Sequence, residues 1–510
     1  MSDRRALPGA HVRALDVPPT VLRRLAAAQP REYPVLLESV AEGPLGRVSI
    51  LAAHPRAALR LDAGGRLSYS SVSGASRVPN PSGTLTGADA RAFPAGTQTA
   101  PLGASFLAAL EQWWLAERTP AAGGDWTRGG VPFAGGWMLF LGYEIAAEIE
   151  PRLVLPAAQL PWRALALRTP CALVHVHATG QVLAAAELGA ADELDSLERE
   201  ALEAARGPGT PSAPSLELRI LEEDPERHLW RVRRAKEYIR AGDIYQANLS
   251  RPWRIEPAGG AGRQALDSAR ASEIYARLAA ANPAPFAALL QWDGVAIVSS
   301  SPERLIRISG SQVETRPIAG TRPRTRRPGG DAAEAAALVA HPKERAEHIM
   351  LIDLERNDLG RISQAGSVRV DELMVTETYA HVHHIVSNVR GTLRPEVTPI
   401  GALRAVFPGG TITGCPKFRC MQIIAELEAE GRGAYTGSLG YLCANGAMDL
   451  NILIRTLTLA EGTLTFRAGG GIVADSLPER ELEETRAKAR GLLAAFEPSA
   501  RASLASAAQP

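Results

Sequence analysis

The succession of short apolar segments is the feature that most limits the folds open to this chain of 510 residues. Residues 137–143 and 171–176 have the length and apolar content of β-strands, and similar runs continue through the second half of the chain. Amphipathic stretches such as 226–240 predict helices, but these helices do not alternate strictly with the strands. A doubly wound parallel sheet requires such alternation, so the pattern predicts an α+β fold.

A glycine- and proline-rich segment divides the chain. Residues 207–216 cannot continue the helix predicted before them, and they are interpreted as a linker. The linker would separate a β-rich N-terminal region, residues 1–206, from a mixed region, residues 217–496. Residues 497–510 are small and polar, which predicts a disordered tail.

Composition excludes several classes of function. A formal charge of +1, from 56 basic and 55 acidic residues, provides no global field that would attract nucleic acid or an anionic membrane. No run of about 18 apolar residues predicts a membrane span, and the N-terminus lacks the apolar core of a signal peptide. The four cysteines are too few for a disulfide scaffold. We therefore expect a cytoplasmic protein.

Two acidic pairs stand out on predicted helices. Glu344 and Glu347 are three residues apart, as are Glu481 and Glu484, so each pair lies on one helix face. A single pair of this kind is usually a solvated surface. Two such pairs, one of them beside a buried-looking strip, favour a site for a hard cation, and Mg²⁺ is the ion that binds a few carboxylates while keeping waters.

A glycine run precedes the second acidic pair. Gly469, Gly470 and Gly471 follow a predicted strand, so their backbone N–H groups are candidates for anion binding, although a plain tight turn is the alternative. Arg455, within an apolar strand, and Lys488 would supply positive charge. This combination indicates a site for a carboxylate ligand.

Three further positions have the chemistry of a site. Glu303 follows an apolar strand, where partial burial would raise its pKa and suit it to general acid catalysis; a helix cap or surface turn is the alternative. Thr411 lies in a glycine- and hydroxyl-rich loop before a predicted helix. Of His383 and His384, at most one would reach a site, because adjacent strand residues point to opposite faces.

Taken together, these stretches resemble the chorismate-utilising enzymes, the family that includes anthranilate synthase component I, aminodeoxychorismate synthase component I, and the isochorismate and salicylate synthases. The resemblance covers residues 217–496 and implies large antiparallel sheets in a sandwich-like core with helices packed outside. The matching stretches are AGDIYQANLS from Ala241, SSPERL from Ser300, TRPIAGTRPR from Thr315, ERAEHIMLIDLERNDLGR from Glu344, HHIVS from His383, FPGGTITGCPK from Phe407, GSLGYL from Gly437, IRTLT from Ile454, AGGGIVADS from Ala468 and ELEETRAKA from Glu481.

The resemblance implies a role for each matching residue. Glu347 and Glu484 correspond to carboxylates that hold Mg²⁺, with Glu344 and Glu481 acting beside them. Glu303 corresponds to a general acid or base near the leaving ring hydroxyl. The groups that correspond to chorismate ligands, and the histidine near the ring, are Thr411, Tyr441, Arg455, Lys488, the amides of Gly469, Gly470 and Gly471, and His384.

Gln246 bears on the nucleophile. The family members that use water have a lysine base at this position, so an amide here implies ammonia as the nucleophile. Asn248, where anthranilate synthases usually have valine, makes the chain resemble aminodeoxychorismate synthase component I more closely. Ala319 replaces a lysine that some aminodeoxychorismate synthases carry, and it is also what anthranilate synthases show; ammonia would then attack the ring directly.

The N-terminal region resembles the family more loosely. Glu38 and Ser39, with Pro283 and Phe286 across the linker, correspond to stretches that frame a tryptophan pocket in relatives, so these four residues are a candidate tryptophan site. No stretch resembles a glutaminase, which implies that a separate glutamine amidotransferase subunit would supply ammonia.

Overall fold

The computed structural model describes residues 4–7, 10–41, 43, 45–72, 98–99, 104–119, 131–207, 218–258, 266, 268–324, 330–378 and 382–496. The predicted linker, except Gly207, and the predicted tail at 497–510 lie outside these residues. Within the described ranges, no helix combines the length and the apolar character that crossing a lipid bilayer would require.

The described residues form 25 strands and eleven α-helices. The strands are β1 (Arg4–Leu7), β2 (Ala10–Leu15), β3 (Val35–Glu38), β4 (Val48–Ala53), β5 (Ala57–Asp62), β6 (Leu67–Ser71), β7 (Gln98–Thr99), β8 (Gly136–Leu141), β9 (Trp162–Thr169), β10 (Cys171–Val176), β11 (Gln181–Glu187), β12 (Leu218–Glu222), β13 (Gln246–Pro257), β14 (Phe286–Trp292), β15 (Val295–Ser301), β16 (Arg304–Ser309), β17 (Gln312–Arg316), β18 (Ile318–Pro323), β19 (Arg369–Thr378), β20 (Val382–Thr392), β21 (Gly414–Cys415), β22 (Ser438–Cys443), β23 (Met448–Asn451), β24 (Thr456–Ala460) and β25 (Thr463–Ile472). The helices are α1 (Thr20–Ala28), α2 (Phe106–Glu117), α3 (Ala146–Ile149), α4 (Ala191–Arg206), α5 (Pro225–Arg240), α6 (Ser268–Ala281), α7 (Gly330–Ala340), α8 (Pro342–Gly360), α9 (Pro399–Val406), α10 (Lys417–Glu428) and α11 (Pro478–Leu493).

The strands form two large antiparallel sheets. The first, sheet A, has 13 strands in the order β1-β2-β11-β10-β4-β3-β14-β15-β24-β25-β13-β12, with β21 added to β13. The second, sheet B, has 12 strands in the order β18-β20-β17-β16-β23-β22-β8-β9-β5-β6-β7, with β19 added to β20. This architecture confirms the predicted α+β class with large antiparallel sheets.

Apolar side chains place the two sheets face to face. Ile297 and Leu290 of sheet A pack in one buried cluster with Met138 and Leu165 of sheet B. A second cluster joins the outer face of sheet A to α1, α4, α6 and α11, and a third joins the outer face of sheet B to α2, α8 and α9. Strands such as β8 and β15 are buried along their whole length, so both faces of each sheet are covered, and the helices lie outside a sandwich, as predicted.

Strands from before and after the predicted linker pair directly. Glu38 of β3 lies opposite Ala287 of β14 in sheet A, and Met138 of β8 lies opposite Tyr441 of β22 in sheet B. Each sheet is therefore built from both parts of the sequence. The division at residues 206 and 217 stays a prediction about the order of segments along the chain.

Two local expectations differ from the structure. The sequence of residues 331–356 predicts a single helix, but the structure has two, because Pro342 begins α8 at a position where its missing N–H costs nothing and where α7 has already ended. The glycine run at 469–471 is also not a turn. It is part of β25, paired with β13.

Candidate active site

Two chain crossings between the sheets position the centre of the site. The chain leaves β15 of sheet A and enters β16 of sheet B through Glu303, and it returns from β23 to β24 through Arg455. The crossings are tied together, since the backbone N–H of Ile452 donates to the carbonyl of Glu303 at 3.0 Å and the N–H of Ser300 donates to the carbonyl of Arg455 at 3.0 Å. Residues 150 positions apart in sequence are thus held side by side as a consequence of the sheet topology.

Glu303 is a buried acid with a perturbed pKa. Only 4% of its surface is exposed, and this burial raises its pKa to about 7. The hydroxyl of Thr411, the N–H of Ile318 and the charges of Arg455 and Lys488 act in the opposite direction, but burial outweighs them. A carboxyl group with this pKa can donate a proton near neutral pH.

His384 is held as a neutral imidazole. Burial and the charge of Arg455 lower its pKa to about 3, and its Nδ1 lies 3.2 Å from the carbonyl oxygen of Gly320. A carbonyl can only accept, so Nδ1 carries the proton and Nε2 is the basic atom. The neighbouring His383 bonds through Nδ1 to the Thr378 hydroxyl at 2.9 Å, as expected for residues on opposite faces of β20.

The glycines of β25 make room for side chains that approach the strand. A Cβ on Gly471 would lie 2.3 Å from Nε2 of Gln246, and one on Gly470 would lie 3.1 Å from Oε1 of Glu484. Gly469, Gly470 and Gly471 pair with Ser250, Leu249 and Asn248 of β13. The run is extended and paired and is not a turn, and absent side chains are what this position requires. Anion binding by its backbone N–H groups stays a prediction.

Gln246 and Asn248 present two amides on one face of β13, since they are two residues apart on the strand. Both side chains are buried. Among the described residues, neither Oε1 of Gln246 nor Oδ1 of Asn248 has a hydrogen-bond partner. Burying an amide oxygen without a hydrogen-bond partner costs free energy. The two oxygens on this face are therefore suited to accept hydrogen bonds from a bound ligand.

The four predicted acids converge from α8 and α11. Burial and the charges of Glu344, Glu481 and Glu484 raise the pKa of Glu347, and burial and Glu484 raise the pKa of Glu481. Glu344 reaches Gly320, where a Cβ would lie 2.8 Å from its Oε2. The acidic helices therefore face each other beside the carbonyl that holds His384.

Two lysines moderate this repulsion. Lys488 Nζ lies 2.7 Å from Oε1 of Glu484 and donates to the carbonyl of Gly469 at 2.8 Å, and its charge lowers the pKa of Glu484. Lys343 Nζ lies 3.7 Å from Oε1 of Glu347. Lys488 is thus anchored between the acids and β25, with its charge directed also towards Glu303 and His384.

The acids have the chemistry of a cation site without its closed geometry. Within the described residues, no three His, Cys, Asp or Glu side chains are gathered tightly enough to hold a metal ion. The donor set consists of carboxylate oxygens, and burial together with their mutual repulsion raises the pKa values of Glu347 and Glu481. A divalent hard cation would relieve that repulsion, so Mg²⁺ suits these residues chemically.

Comparison with known proteins identifies the family of this site. Residues 70–494 match the family model described as chorismate binding enzyme. The chain belongs to this family. A Synechocystis protein named anthranilate synthase component I-like protein is 42% identical over 367 residues, which cover 72% of this chain and 74% of that protein.

Other relatives of this chorismate binding enzyme carry two different names. Anthranilate synthase component 1 of Thermus thermophilus is 48% identical over 53% of this chain and 57% of its own length. Aminodeoxychorismate synthase component 1 of Bacillus subtilis is 47% identical over 52% of this chain and 54% of its own length. The crystal structure of anthranilate synthase component I from Streptococcus pneumoniae superposes with a TM-score of 0.70 at 29% identity, covering 88% of this chain and 93% of that one.

One predicted substrate residue of this enzyme lies elsewhere. Tyr441 is in β22, where its ring packs edge to face on Phe133 at 5.5 Å, and burial and the charge of Asp449 raise its pKa. The structure does not bring Tyr441 to Glu303 or Arg455.

A second tyrosine in the same stretch lies closer to the site. Tyr435 is buried beneath the Arg432 guanidinium, and its pKa is raised to about 12 by burial, with a contribution from the charge of Glu484. The sequence did not indicate Tyr435 as a site residue. Tyr435 and Tyr441 are only six residues apart, and nothing in their local sequence shows that Tyr435 lies before β22 begins at Ser438 while Tyr441 lies within it.

The candidate tryptophan residues gather at a separate cavity of about 1090 Å³. Glu38, Ser39 and Phe286 line it, together with Tyr441, whereas Pro283 does not. Glu38 accepts bonds from the Tyr275 hydroxyl at 2.7 Å and from Arg23, and the Ser39 hydroxyl donates to the carbonyl of Pro285 at 2.9 Å. Tryptophan binding at this cavity stays a prediction.

Proposed function

We propose that this chain is an aminodeoxychorismate synthase component I, which replaces the C4 hydroxyl of chorismate with an amino group from ammonia. The product, 4-amino-4-deoxychorismate, retains the enolpyruvyl group and serves p-aminobenzoate and folate synthesis. The observation that supports this proposal best is the pair of unpartnered amide oxygens of Gln246 and Asn248. Ammonia donates hydrogen bonds, and two fixed acceptors would orient its lone pair towards the ring.

Glu303 would provide the proton for the leaving group. Its buried carboxyl, with a pKa of about 7, can protonate the departing hydroxyl, so that the acid, the ring alcohol and ammonia give the carboxylate, water and the ring ammonium. Arg455 and Lys488 would bind the carboxylates of the substrate, and Thr411 would add a hydroxyl donor. His384, uncharged, would contact the ring without adding positive charge.

Mg²⁺ is part of this proposal. Glu347 and Glu484 would be direct ligands, and Glu344 and Glu481 would act through water or through hydrogen bonds to those ligands. When bound, the ion would polarise a carboxylate of the substrate. Its charge would also offset the acids, since burial and neighbouring carboxylates raise the pKa values of Glu347 and Glu481.

We further propose that ammonia comes from a separate glutamine amidotransferase subunit, since the chain offers no stretch resembling a glutaminase. Free ammonium salt should substitute for that partner in vitro. Comparison of the two nitrogen sources would show whether the partner is required: activity with glutamine should appear only after an amidotransferase is added.

Identification of the product tests the proposed reaction. Purified protein is incubated with chorismate, Mg²⁺ and an ammonium salt. The products are separated by chromatography, and their masses are determined by mass spectrometry. We expect an amination product that still contains the enolpyruvyl group. Fluorescent anthranilate together with released pyruvate would overturn the assignment.

The second candidate is anthranilate synthase component I, which forms anthranilate and pyruvate for tryptophan synthesis. Two observations favour it: Ala319, and the names of relatives such as the Thermus protein. A third alternative is a silent anion-binding subunit. It predicts that Glu347→Ala and Glu484→Ala change nothing, whereas both enzyme candidates predict that these substitutions abolish Mg²⁺-dependent turnover.

A further inference from the structure

A second pair of buried carboxyls lies behind the candidate active site. Glu355 and Asp358 are one helical turn apart on α8, and 5% and 4% of their surfaces are exposed. Asp358 is neutralised, because Lys417 Nζ lies 2.5 Å from its Oδ2 and Arg361 Nη2 lies 3.2 Å from its Oδ1. Glu355 has no such ion pair within the described residues. None of the steps proposed above uses it.

One short turn links Glu355 to Glu303. A Cβ on Gly410 would lie 3.4 Å from Oε1 of Glu355, so the carboxyl of Glu355 rests against this turn. The hydroxyl of the next residue, Thr411, lowers the pKa of Glu303, and the hydroxyl of Thr315 on β17 lowers that of Glu355. Among the described residues, Oγ1 of Thr411, Oγ1 of Thr315 and Oε1 of Glu303 are buried without a hydrogen-bond partner. These polar atoms near the two carboxyl groups are therefore available to pass a proton.

The far side of the pair opens to solvent. Asp358 and Lys417 line a cavity of about 690 Å³, whose other walls include Tyr245, Met350 and Phe418. Tyr245 is 71% exposed, so water has access to the rim. Lys417 and Asp358 thus lie between this cavity and the buried side of α8, where Glu355 rests against the turn that carries Thr411.

We propose that Glu355 resupplies Glu303 with the proton that each turnover consumes, drawing that proton from water in the cavity beside Asp358 and Lys417. The inference rests on the proposed function, in which Glu303 protonates the leaving hydroxyl. Glu355 acts through Glu303 and not on the substrate, so it is a positioning residue.

The proton balance follows from the reaction. Glu303 becomes a carboxylate when the hydroxyl leaves as water, and the proton is not returned because the product keeps the new nitrogen as an ammonium group. Glu355 then gives its proton to Glu303 across the hydroxyl of Thr411. A water molecule of the cavity reprotonates Glu355 and passes the resulting hydroxide to solvent, which leaves both acids as they began.

The surroundings of Glu355 suit it to hold a proton. Burial raises its pKa, and the charges of Asp358 and Glu303 raise it further, while Lys417 and the Thr315 hydroxyl act in the opposite direction. The pKa of Glu303 is raised as well, to about 7. Proton transfer between two acids whose pKa values are shifted the same way requires little free energy.

Pre-steady-state kinetics of the full-length Glu355→Gln protein test the inference. The assay uses chorismate, Mg²⁺ and ammonium at a pH slightly below the pKa of Glu303, about 7. Glu303 then starts protonated, so the first turnover should proceed at the wild-type rate. Later turnovers should be slower by about 10- to 100-fold, which appears as a burst of one product per site. The KM for chorismate should not change, and Glu355→Asp should restore much of the steady-state rate.

A matched control separates this effect from general damage to the core. Glu144 is also a buried carboxyl whose pKa burial raises, but it accepts bonds from the backbone N–H groups of Arg432 and Gly433. Glu144→Gln should show no burst. Circular dichroism and thermal unfolding establish that both variants are folded.

The possible failures differ from one another. An unchanged steady-state rate in Glu355→Gln, or a first turnover as slow as the later ones, would overturn the role of Glu355 while leaving the proposed function intact. Wild-type activity in Glu303→Gln, or the absence of any chorismate turnover by the wild type, would overturn the proposed function and this inference together.

Discussion

Two fully buried glutamates of this chorismate binding enzyme have opposite electrostatic environments. Glu428 is 0% exposed and accepts bonds from Arg432, Arg467 and Ser250, all at 3.0 Å or less. Burial alone would raise its pKa, but the two guanidinium groups outweigh burial and lower the pKa to about 2. At Glu303 the positive charges of Arg455 and Lys488 do not outweigh burial, and the pKa is raised to about 7.

This contrast shows that burial does not by itself make a carboxyl group reactive. A buried carboxylate bonded to two arginines is locked in its charged form and holds strands together; Glu428 joins α10 to β13 and β25 in this way. A buried carboxyl with weaker compensation can keep its proton and release it on demand. Three predictions test this difference between Glu428 and Glu303, and a fourth extends it to the partly exposed acids Glu481 and Glu484; they run from the largest expected effect to the smallest.

Glu428→Gln should destabilise the fold more than any other change considered. It leaves Arg432 buried without its counter-charge and Arg467 with only the more exposed Glu430, so the free energy of unfolding should fall by about 3–5 kcal/mol. Denaturant unfolding followed by circular dichroism measures this loss. The control is Glu430→Gln, since Glu430 is 40% exposed and pairs with Arg467 at 3.5 Å; the change should be less than about 1 kcal/mol.

Glu303→Gln should lower activity more than stability, in contrast to Glu428→Gln. Loss of the acid should lower kcat by about 10²- to 10⁴-fold, while the free energy of unfolding stays the same or increases, because a neutral amide is cheaper to bury than a carboxylate. Steady-state rates with ammonium, and unfolding curves at the same pH, measure the two effects. A loss of stability as large as that of Glu428→Gln would show that Glu303 is a structural residue like Glu428.

The dependence of stability on pH should separate the two acids. The folded pKa of Glu428 is lowered, so its contribution is present above the unfolded value of about 4.3 and is lost as pH falls towards 2. The folded pKa of Glu303 is raised, so its carboxyl favours folding below about 4.3 and this advantage disappears as pH rises through 7. Unfolding measured between pH 4 and 8 should therefore show a growing relative benefit of Glu303→Gln.

If the stability difference between wild type and Glu303→Gln were the same at pH 4 and pH 8, the raised pKa of Glu303 would be refuted. Glu428→Gln should show the opposite dependence of stability on pH. Its deficit relative to wild type should shrink below pH 4, where the wild-type carboxylate begins to lose its advantage.

Gly470→Ala should have the smallest effect. The new Cβ would lie 3.1 Å from Oε1 of Glu484 and 3.6 Å from Oε2 of Glu481, so the acids must shift by a few tenths of an ångström. We expect the Mg²⁺ concentration for half-maximal activity to rise a few-fold, with little change in stability. Gly491→Ala on α11 meets nothing within 4 Å and should increase stability by about 0.5–1 kcal/mol without altering the Mg²⁺ response.

Much of the candidate site was evident in the sequence. The structure brings together residues that each lie in a motif recognisable along the chain: Glu303, Gln246, His384, Arg455, Lys488 and the four acids. The period of the apolar segments likewise predicted the α+β class, because side-chain alternation along a strand is a local property. Their catalytic and metal-binding roles stay predictions.

Other features depended on contacts between segments far apart in sequence. Tyr435 lies two residues before the motif that contains Tyr441, but only the tertiary structure places Tyr441 beside Phe133 and Tyr435 near Glu484. The sequence of the glycine run is compatible with a turn or with a strand, and the pairing with β13 makes it a strand.

Glu355 shows most clearly that burial cannot be predicted from the local sequence. It is one of four charged residues from Asp353 to Asp358, and two of the others, Asp353 and Arg356, are exposed. The sequence by itself determined which residues carry acid, base and amide groups. Only the tertiary structure decided which of them are buried and which charges face them, because desolvation and Coulomb interactions depend on distances in space and not on positions along the chain.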